Sequence, residues 1–320
     1  MKMSREKLQQ ESASTGFKME YLEKVFILME LLEDFSSFPQ LKDKFALKGG
    51  TALNLFFFNL PRLSVDIDLN YIGSTERETM MSERPALEKT VVAICERKGF
   101  TLDRNPGRHA GGKMVWRYPS ALGQMGNLEI DLNFMYRVPL WPIEYKSSCA
   151  VGSKQIHNIP VLDSHELSAG KLSALIDRKT GRDLFDAHYL LTKTNLDMVK
   201  LRLALVVYSA ISRKVDLRQL TPQAVSVDVT DLKNRLIPLI RKKEIEAMNG
   251  ISSWAEQMVQ ECQQAFDHFL PLSSDEHLFL GNLLDKGIVE PELITTDPLL
   301  IENIKNHPAI RWSAQQHHTN

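Results

Sequence analysis

Asp66 and Asp68 are where residue type and spacing first imply chemistry. They lie in the run Leu63-Ser64-Val65-Asp66-Ile67-Asp68-Leu69-Asn70-Tyr71, which alternates apolar and polar residues without a break. As a β-strand, that run puts Leu63, Val65, Ile67, Leu69 and Tyr71 on one face and Ser64, Asp66, Asp68 and Asn70 on the other. Two carboxylates so close repel, and one has its pKa raised unless a cation stands between them. A hard divalent ion such as Mg²⁺ relieves that repulsion, because it prefers carboxylate oxygens and keeps open positions for water and phosphate. Upstream, Gly49 and Gly50 leave bare backbone at the expected start of a helix. Free N–H groups and the helix dipole make such a turn a place for an anion, and Thr51 adds a hydroxyl.

The elements that must position these groups can be read from periodicity. Residues 45–47 form a short apolar strand that the double glycine ends, and 51–59 form one short helix that stops at Asn59-Leu60-Pro61. Residues 128–134 alternate again, with Glu129, Asp131 and Asn133 opposite Leu128, Ile130, Leu132 and Phe134. Residues 19–35 and 80–99 carry helical stripes, Gly99 stopping the second, while 1–16 are at most marginally helical. Strands are expected at 101–103, 113–118 and 159–162. Asp163 then caps a helix to about residue 179, with Glu166 three residues on as a capping box. Leu172, Leu175 and Ile176 form its apolar stripe, and Lys171 and Arg178 share its shoulder. Thr180-Gly181 breaks it, and Asp183 and Asp186 stand early in the next helix. Further helices are expected over 196–213, 229–248, 252–270 and 274–286.

The combination carries a resemblance. Gly49-Gly50-Thr51, a helix-length gap and Asp66-Ile67-Asp68 resemble the signature of the DNA polymerase β-like nucleotidyltransferases. The flanking words Lys48-Gly49-Gly50-Thr51-Ala52-Leu53 and Arg62-Leu63-Ser64-Val65-Asp66-Ile67-Asp68-Leu69 resemble the AbiEii/MenT branch, the nucleotidyltransferase toxins of abortive-infection and toxin–antitoxin systems. So do Lys171-Leu172-Ser173-Ala174-Leu175-Ile176-Asp177-Arg178 and Arg182-Asp183-Leu184-Phe185-Asp186. The likeness spans 45 to about 191. It implies an α+β polymerase β-like core with a mixed sheet over residues 1–160, then a helical domain over 161–320 that completes the active-site cleft. It implies Mg²⁺-dependent transfer of a nucleoside monophosphate from an NTP to an acceptor hydroxyl. Gly49, Gly50 and Thr51 would bind the triphosphate, and Asp66 and Asp68 one or two Mg²⁺ ions. Asp131, with Glu129 as the alternative, would be a third acid. Lys171 would contact nucleotide phosphates, and Asp186 would help shape the site. Asp183 is expected to pair with Arg178 or Arg182.

Composition sets the outer limits. An apolar fraction of 43% supports a sizeable core over 320 residues. Net charge is −1, so a nucleic-acid partner must be held by local patches rather than by the whole field. Such patches are Arg104, Arg108, His109, Lys113 and Arg117, and Lys171, Arg178, Lys179 and Arg182. Arg213-Lys214 with Arg218, and Arg241-Lys242-Lys243, read as solvated helix ends, and His317-His318 as a pair rather than a metal site. Three scattered cysteines give neither a disulfide framework nor a zinc spacing and suit a reducing cytoplasm. No run reaches membrane-spanning length. The resemblance implies an RNA acceptor, especially a tRNA 3′ end, and a cognate antitoxin. The alternatives are nucleotidyl transfer to a small molecule such as an antibiotic, and a non-catalytic nucleotide-binding module.

Overall fold

The alternating runs of the sequence become neighbouring strands of one mixed sheet. The computed structural model describes residues 3–104, 111–212 and 216–316. The chain divides into two units. The first comprises Met1–Arg137, Ile143–Leu162 and Pro238–Ala247, and the second Val138–Pro142, Asp163–Ile237 and Met248–Asn320. The first unit holds helices α1 (Arg5–Thr15) and α2 (Met19–Ser37), strand β1 (Phe45–Lys48), helix α3 (Gly49–Ala52), strand β2 (Asp66–Tyr71) and helix α4 (Arg77–Arg97). It continues with β3 (Thr101–Arg104), β4 (Gly111–Pro119), β5 (Met125–Asn133), β6 (Glu144–Lys146) and β7 (Ile159–Val161).

The strand order is β3-β4-β5-β2-β1-β7-β6. β2 runs antiparallel to β1 and parallel to β5, and β1 runs parallel to β7. β2 therefore lies inside the sheet with both edges paired. Its apolar face, Ile67, Leu69 and Tyr71, is buried, as are Ile130 and Leu132 of β5. Each such side chain contributes about 1.5–3 kcal/mol by leaving water. α2 buries Leu22, Val25, Leu28 and Met29 and packs on β5, β7 and α4. The rings of Phe45, Tyr71 and Phe134 meet at centroid distances of 5.5–6.1 Å and close the same core.

Three local readings are corrected. Residues 5–15 form a regular helix, because Leu8 is fully buried and Glu11 accepts from the backbone N–H (3.0 Å) and hydroxyl of Ser153. The helix after β1 begins at Gly49 itself and widens into a π-turn over Leu53–Phe57 before Asn59. The expected helix 229–248 is broken into short pieces around Pro238, which cannot donate its backbone hydrogen bond. The piece Pro238–Ala247 belongs to the first unit, where Leu239 accepts from the N–H of Leu63 at 2.9 Å.

The second unit is helical: α5 (Ser164–Arg178), α6 (Gly181–Lys193), α7 (Met198–Ile211), and the longer later helices Ile251–Phe266, Ser274–Lys286, Pro298–Asn306 and Pro308–Gln315. α5 packs on both α6 and α7. Asp163 caps α5 as expected, accepting from His165 N at 2.8 Å, but Glu166 does not return to complete a capping box. Its carboxylate points into the core instead, accepting from Leu140 N–H and from the Tyr208 hydroxyl, both at 2.9 Å. Among the described residues no helix is long and apolar enough to cross a membrane.

Candidate active site

The site in the first unit begins at the end of β1. Lys48 is extended, and Gly49 turns the chain with φ at +73°, a left-handed value that costs any other residue. A Cβ at Gly49 would also run into the Asp68 carboxylate, so the turn and the acid fit only because the side chain is missing. Asn54 donates to Gly50 O at 2.9 Å and holds the first helical turn in place. Thr51 is fully buried, and its hydroxyl donates to Asp66 O at 2.6 Å with Ser64 Oγ 3.0 Å away. The hydroxyl expected to face an anion is thus spent on tying the helix start to β2.

Register brings the acids together. Asp66 is opposite Glu129 and Asp68 opposite Asp131, across the parallel β2–β5 pair. Lys48 is the partner of Asp68 on β1, and Lys113 the partner of Asp131 on β4. One row across four strands therefore reads Lys48, Asp68, Asp131, Lys113. Burial raises the pKa of Asp68 above the ordinary carboxylate value; Lys48 opposes this, and Asp66 and Asp131 add to it. Lys113 donates to Glu129 at 2.6 Å. Burial works to lower its pKa, but Glu129, Asp66 and Asp68 outweigh that and raise it. The Lys48 ammonium lies 5.3 Å from the Tyr136 ring centroid. Neither lysine was marked by sequence as part of the acid face, although Lys48 adjoins the glycine turn and was there to be counted.

The donor chemistry suits a hard divalent ion. Asp66 and Asp68 supply carboxylate oxygens from one face, and burial first, then the neighbouring Asp66 and Asp131 charges, raise the pKa of Asp68. Among the described residues no three acids, histidines or cysteines are gathered closely enough to hold a metal by themselves.

A second constellation lies within the helical unit. Lys171 on α5 reaches Asp183 Oδ1 at 2.9 Å and Asp186 Oδ2 at 3.0 Å, both on the first turns of α6. Arg178 pairs with Asp183 through Nε–Oδ2 (3.1 Å) and Nη2–Oδ1 (3.0 Å), and Thr180 Oγ1 donates to Asp183 Oδ2 at 2.7 Å. Burial disfavours the Asp183 charge, yet Lys171 and Arg178 outweigh it and hold its pKa well below the usual carboxylate range. The start of α6 also packs against the short helical piece Leu232–Leu236, which it can do because Gly181 has no side chain: a Cβ there would sit 2.6 Å from Leu232 Cα. Asp183 pairs with Arg178 as expected. That it also holds Lys171 was not legible, since spacing within a helix does not say which acid a neighbouring helix will face. The expected basic patches are largely compensated: Arg117 pairs with Asp103 at 3.1 Å and Lys113 with Glu129. Arg108 and His109 lie outside the described residues.

The comparisons with known proteins bear on family and fold. The sequence profile of the family described as "Nucleotidyl transferase AbiEii toxin, Type IV TA system" matches residues 30–275. Among solved structures, MenT4, a nucleotidyltransferase toxin from Mycobacterium tuberculosis H37Rv, shares the fold with a TM-score of 0.60 at 17% identity, over 97% of this chain and 99% of that one. No curated protein matches the sequence. With more than half of its length matched by that profile, the chain belongs to the AbiEii family of nucleotidyltransferase toxins of type IV toxin–antitoxin systems.

Proposed function

We propose that this nucleotidyltransferase moves a nucleoside monophosphate from an NTP to the terminal hydroxyl of an RNA, a tRNA 3′ end above all, releasing pyrophosphate in the bacterial cytoplasm. The observation that carries the reading is the Asp66–Asp68 pair beside the bare Gly49 turn, with Asp68 held above its ordinary pKa. Asp66 and Asp68 would hold Mg²⁺, which when bound supplies charge stabilisation to the entering and leaving oxygens. Gly49 and Gly50 offer backbone to the triphosphate, where no side chain blocks its approach. Asp131, one strand over from Asp68, takes the acceptor proton or a share of a second ion. The family resemblance assigns Lys171 to the nucleotide phosphates and Asp186 to the shape of the site. Within the helical unit Asp183 and Asp186 fix the direction of the Lys171 ammonium. A cognate antitoxin is the expected counterpart.

One observation favours a second reading, transfer to a small hydroxyl compound. Lys113 and Arg117 already have carboxylate partners, which leaves less positive surface for an RNA backbone. Incubating the protein with each labelled NTP, Mg²⁺ and total RNA, or with a panel of aminoglycosides, separates the two. Label in a tRNA-sized band from one NTP, lost on chelation, is the expected result. Label only in the small compound selects the second reading, and label in neither rejects nucleotidyl transfer to both.

A further inference from the structure

The hairpin joining β4 to β5 closes a cavity of about 330 Å³ against the N-terminal turns of α2, entirely within the first unit. That volume lies at the lower end of the range for small-molecule sites. Its position relative to the acids follows from register. Glu129 is opposite Asp66, and Asn127 stands two residues earlier on the same face of β5. One strand spacing of about 4.8 Å and a two-residue rise of about 7 Å put Asn127 roughly 8 Å from Asp66. Lys24 joins the two electrostatically. Its ammonium donates to Asn127 Oδ1 at 2.5 Å; burial lowers its pKa, and the charges of Asp66, Glu20 and Glu129 act against that.

The lining chemistry selects a class of ligand. The charged groups at the cavity are largely satisfied: Glu23 accepts from Ser120 Oγ and Ala121 N–H, both at 2.6 Å, Arg117 pairs with Asp103, and Lys24 is held by Asn127. No cation is left over for a phosphate. Beside Glu20, which the Tyr21 hydroxyl engages, there remain the half-buried Tyr21 ring, the exposed Gln124 amide and the Asn127 amide nitrogen. A flat ring with amide donors and acceptors matches a neutral heteroaromatic base, which stacks on aromatic side chains and is read along its polar edge.

We propose that this cavity is a nucleobase subsite, holding the base of a nucleotide whose sugar–phosphate end reaches Asp66 and Asp68. The inference rests on the transfer reaction proposed above. Two sources share the chemistry, the incoming NTP and the terminal nucleotide of the acceptor, and the test separates them. Binding of the four NTPs, and separately of four single-stranded RNAs differing in the 3′ base, is measured by calorimetry on wild type, Gln124→Trp and Asn127→Leu. Neither series alone permits turnover. Gln124→Trp fills the cavity from an exposed hairpin tip, and Asn127→Leu deletes the amide without added bulk, should the first fail to melt like wild type. The expected result is about tenfold weaker binding in one series, the size of one lost base contact, with the preference among bases flattened; the affected series names the source. Both series unchanged in a folded variant overturns the cavity assignment while leaving nucleotidyl transfer intact. Wild type binding neither NTP nor RNA overturns both.

Discussion

Replacing Lys171 by methionine separates a structural from a chemical role for this residue. Methionine keeps the aliphatic stem and removes the ammonium. The Lys171, Asp183 and Asp186 side chains are 9%, 3% and 0% exposed, so the charges face one another with little water between them. Removing one partner of a buried pair costs about 3–5 kcal/mol, because the remaining charge is left uncompensated. Arg178 stays beside Asp183, but it is 57% exposed and its contribution is screened, which puts the loss toward the lower end of that range. At 2–4 °C per kcal/mol for a domain of this size, the melting temperature should fall by roughly 10 °C. Adding Asp186→Asn removes the stranded charge and should restore about half of that loss, a coupling that a double-mutant cycle reads directly. Circular-dichroism melts give the stabilities, and transfer assays at a temperature where every variant is folded give the chemistry. A double variant that folds but transfers no nucleotide, where Asp186→Asn alone still transfers, assigns Lys171 a contact with substrate; one that recovers both assigns it to neutralising Asp183 and Asp186. Lys171→Met melting within about 2 °C of wild type would refute the burial argument itself.

The other predictions concern the acids and the turn. Asp66→Asn and Asp68→Asn should each slow transfer on the order of a thousandfold with stability unchanged or slightly higher, since each removes one of two repelling charges; wild-type rates in Mg²⁺ would contradict the metal assignment. Gly49→Ala should lose about 1–2 kcal/mol for its left-handed backbone and lower kcat/KM further than that, because the new Cβ displaces the Asp68 carboxylate; unaltered kinetics would show that Asp68 need not sit where it does. Glu166 is fully buried, and burial raises its pKa from 4.5 to about 7. The folded state therefore holds a proton the unfolded state has released, so stability should fall by up to about 3 kcal/mol as pH rises from 4.5 to 7, then level off. Glu166→Gln should flatten that slope in urea titrations, and an unchanged slope would locate the titration elsewhere.

What was legible in the sequence was what depends on short range. The alternation at Asp66–Tyr71 and Met125–Asn133 gave both strands and the facing of every acid, because a period of two leaves one choice of face. The glycine turn was legible as a turn, and the structure adds why Gly49 in particular is needed: the obstacle is the Asp68 side chain, nineteen positions along the chain. Thr51 and Glu166 both have partners that their local patterns do not announce. Each matches a local pattern, an anion-facing hydroxyl or a capping box, yet each finds a stronger partner far away in sequence, Asp66 O and Tyr208. Helix 229–248 was misjudged because helical periodicity outweighed Pro238, whose effect is local and was there to be read.

The acid face also bears on how β2 is accommodated as an inner strand. Like charges set close together on a half-buried strand face are costly unless counter-charges stand near them. Here the sheet supplies its own counter-charges in register: Lys48 on one side of Asp68 and Lys113 beyond Asp131 bracket the inner acids. Burial still lifts Asp68 above its ordinary pKa, with Asp66 and Asp131 adding to it and the two lysines acting against it. The missing Gly49 side chain and the closely set acids fall at one place on the strand face, since a Cβ at Gly49 would meet the Asp68 carboxylate that stands opposite Asp131.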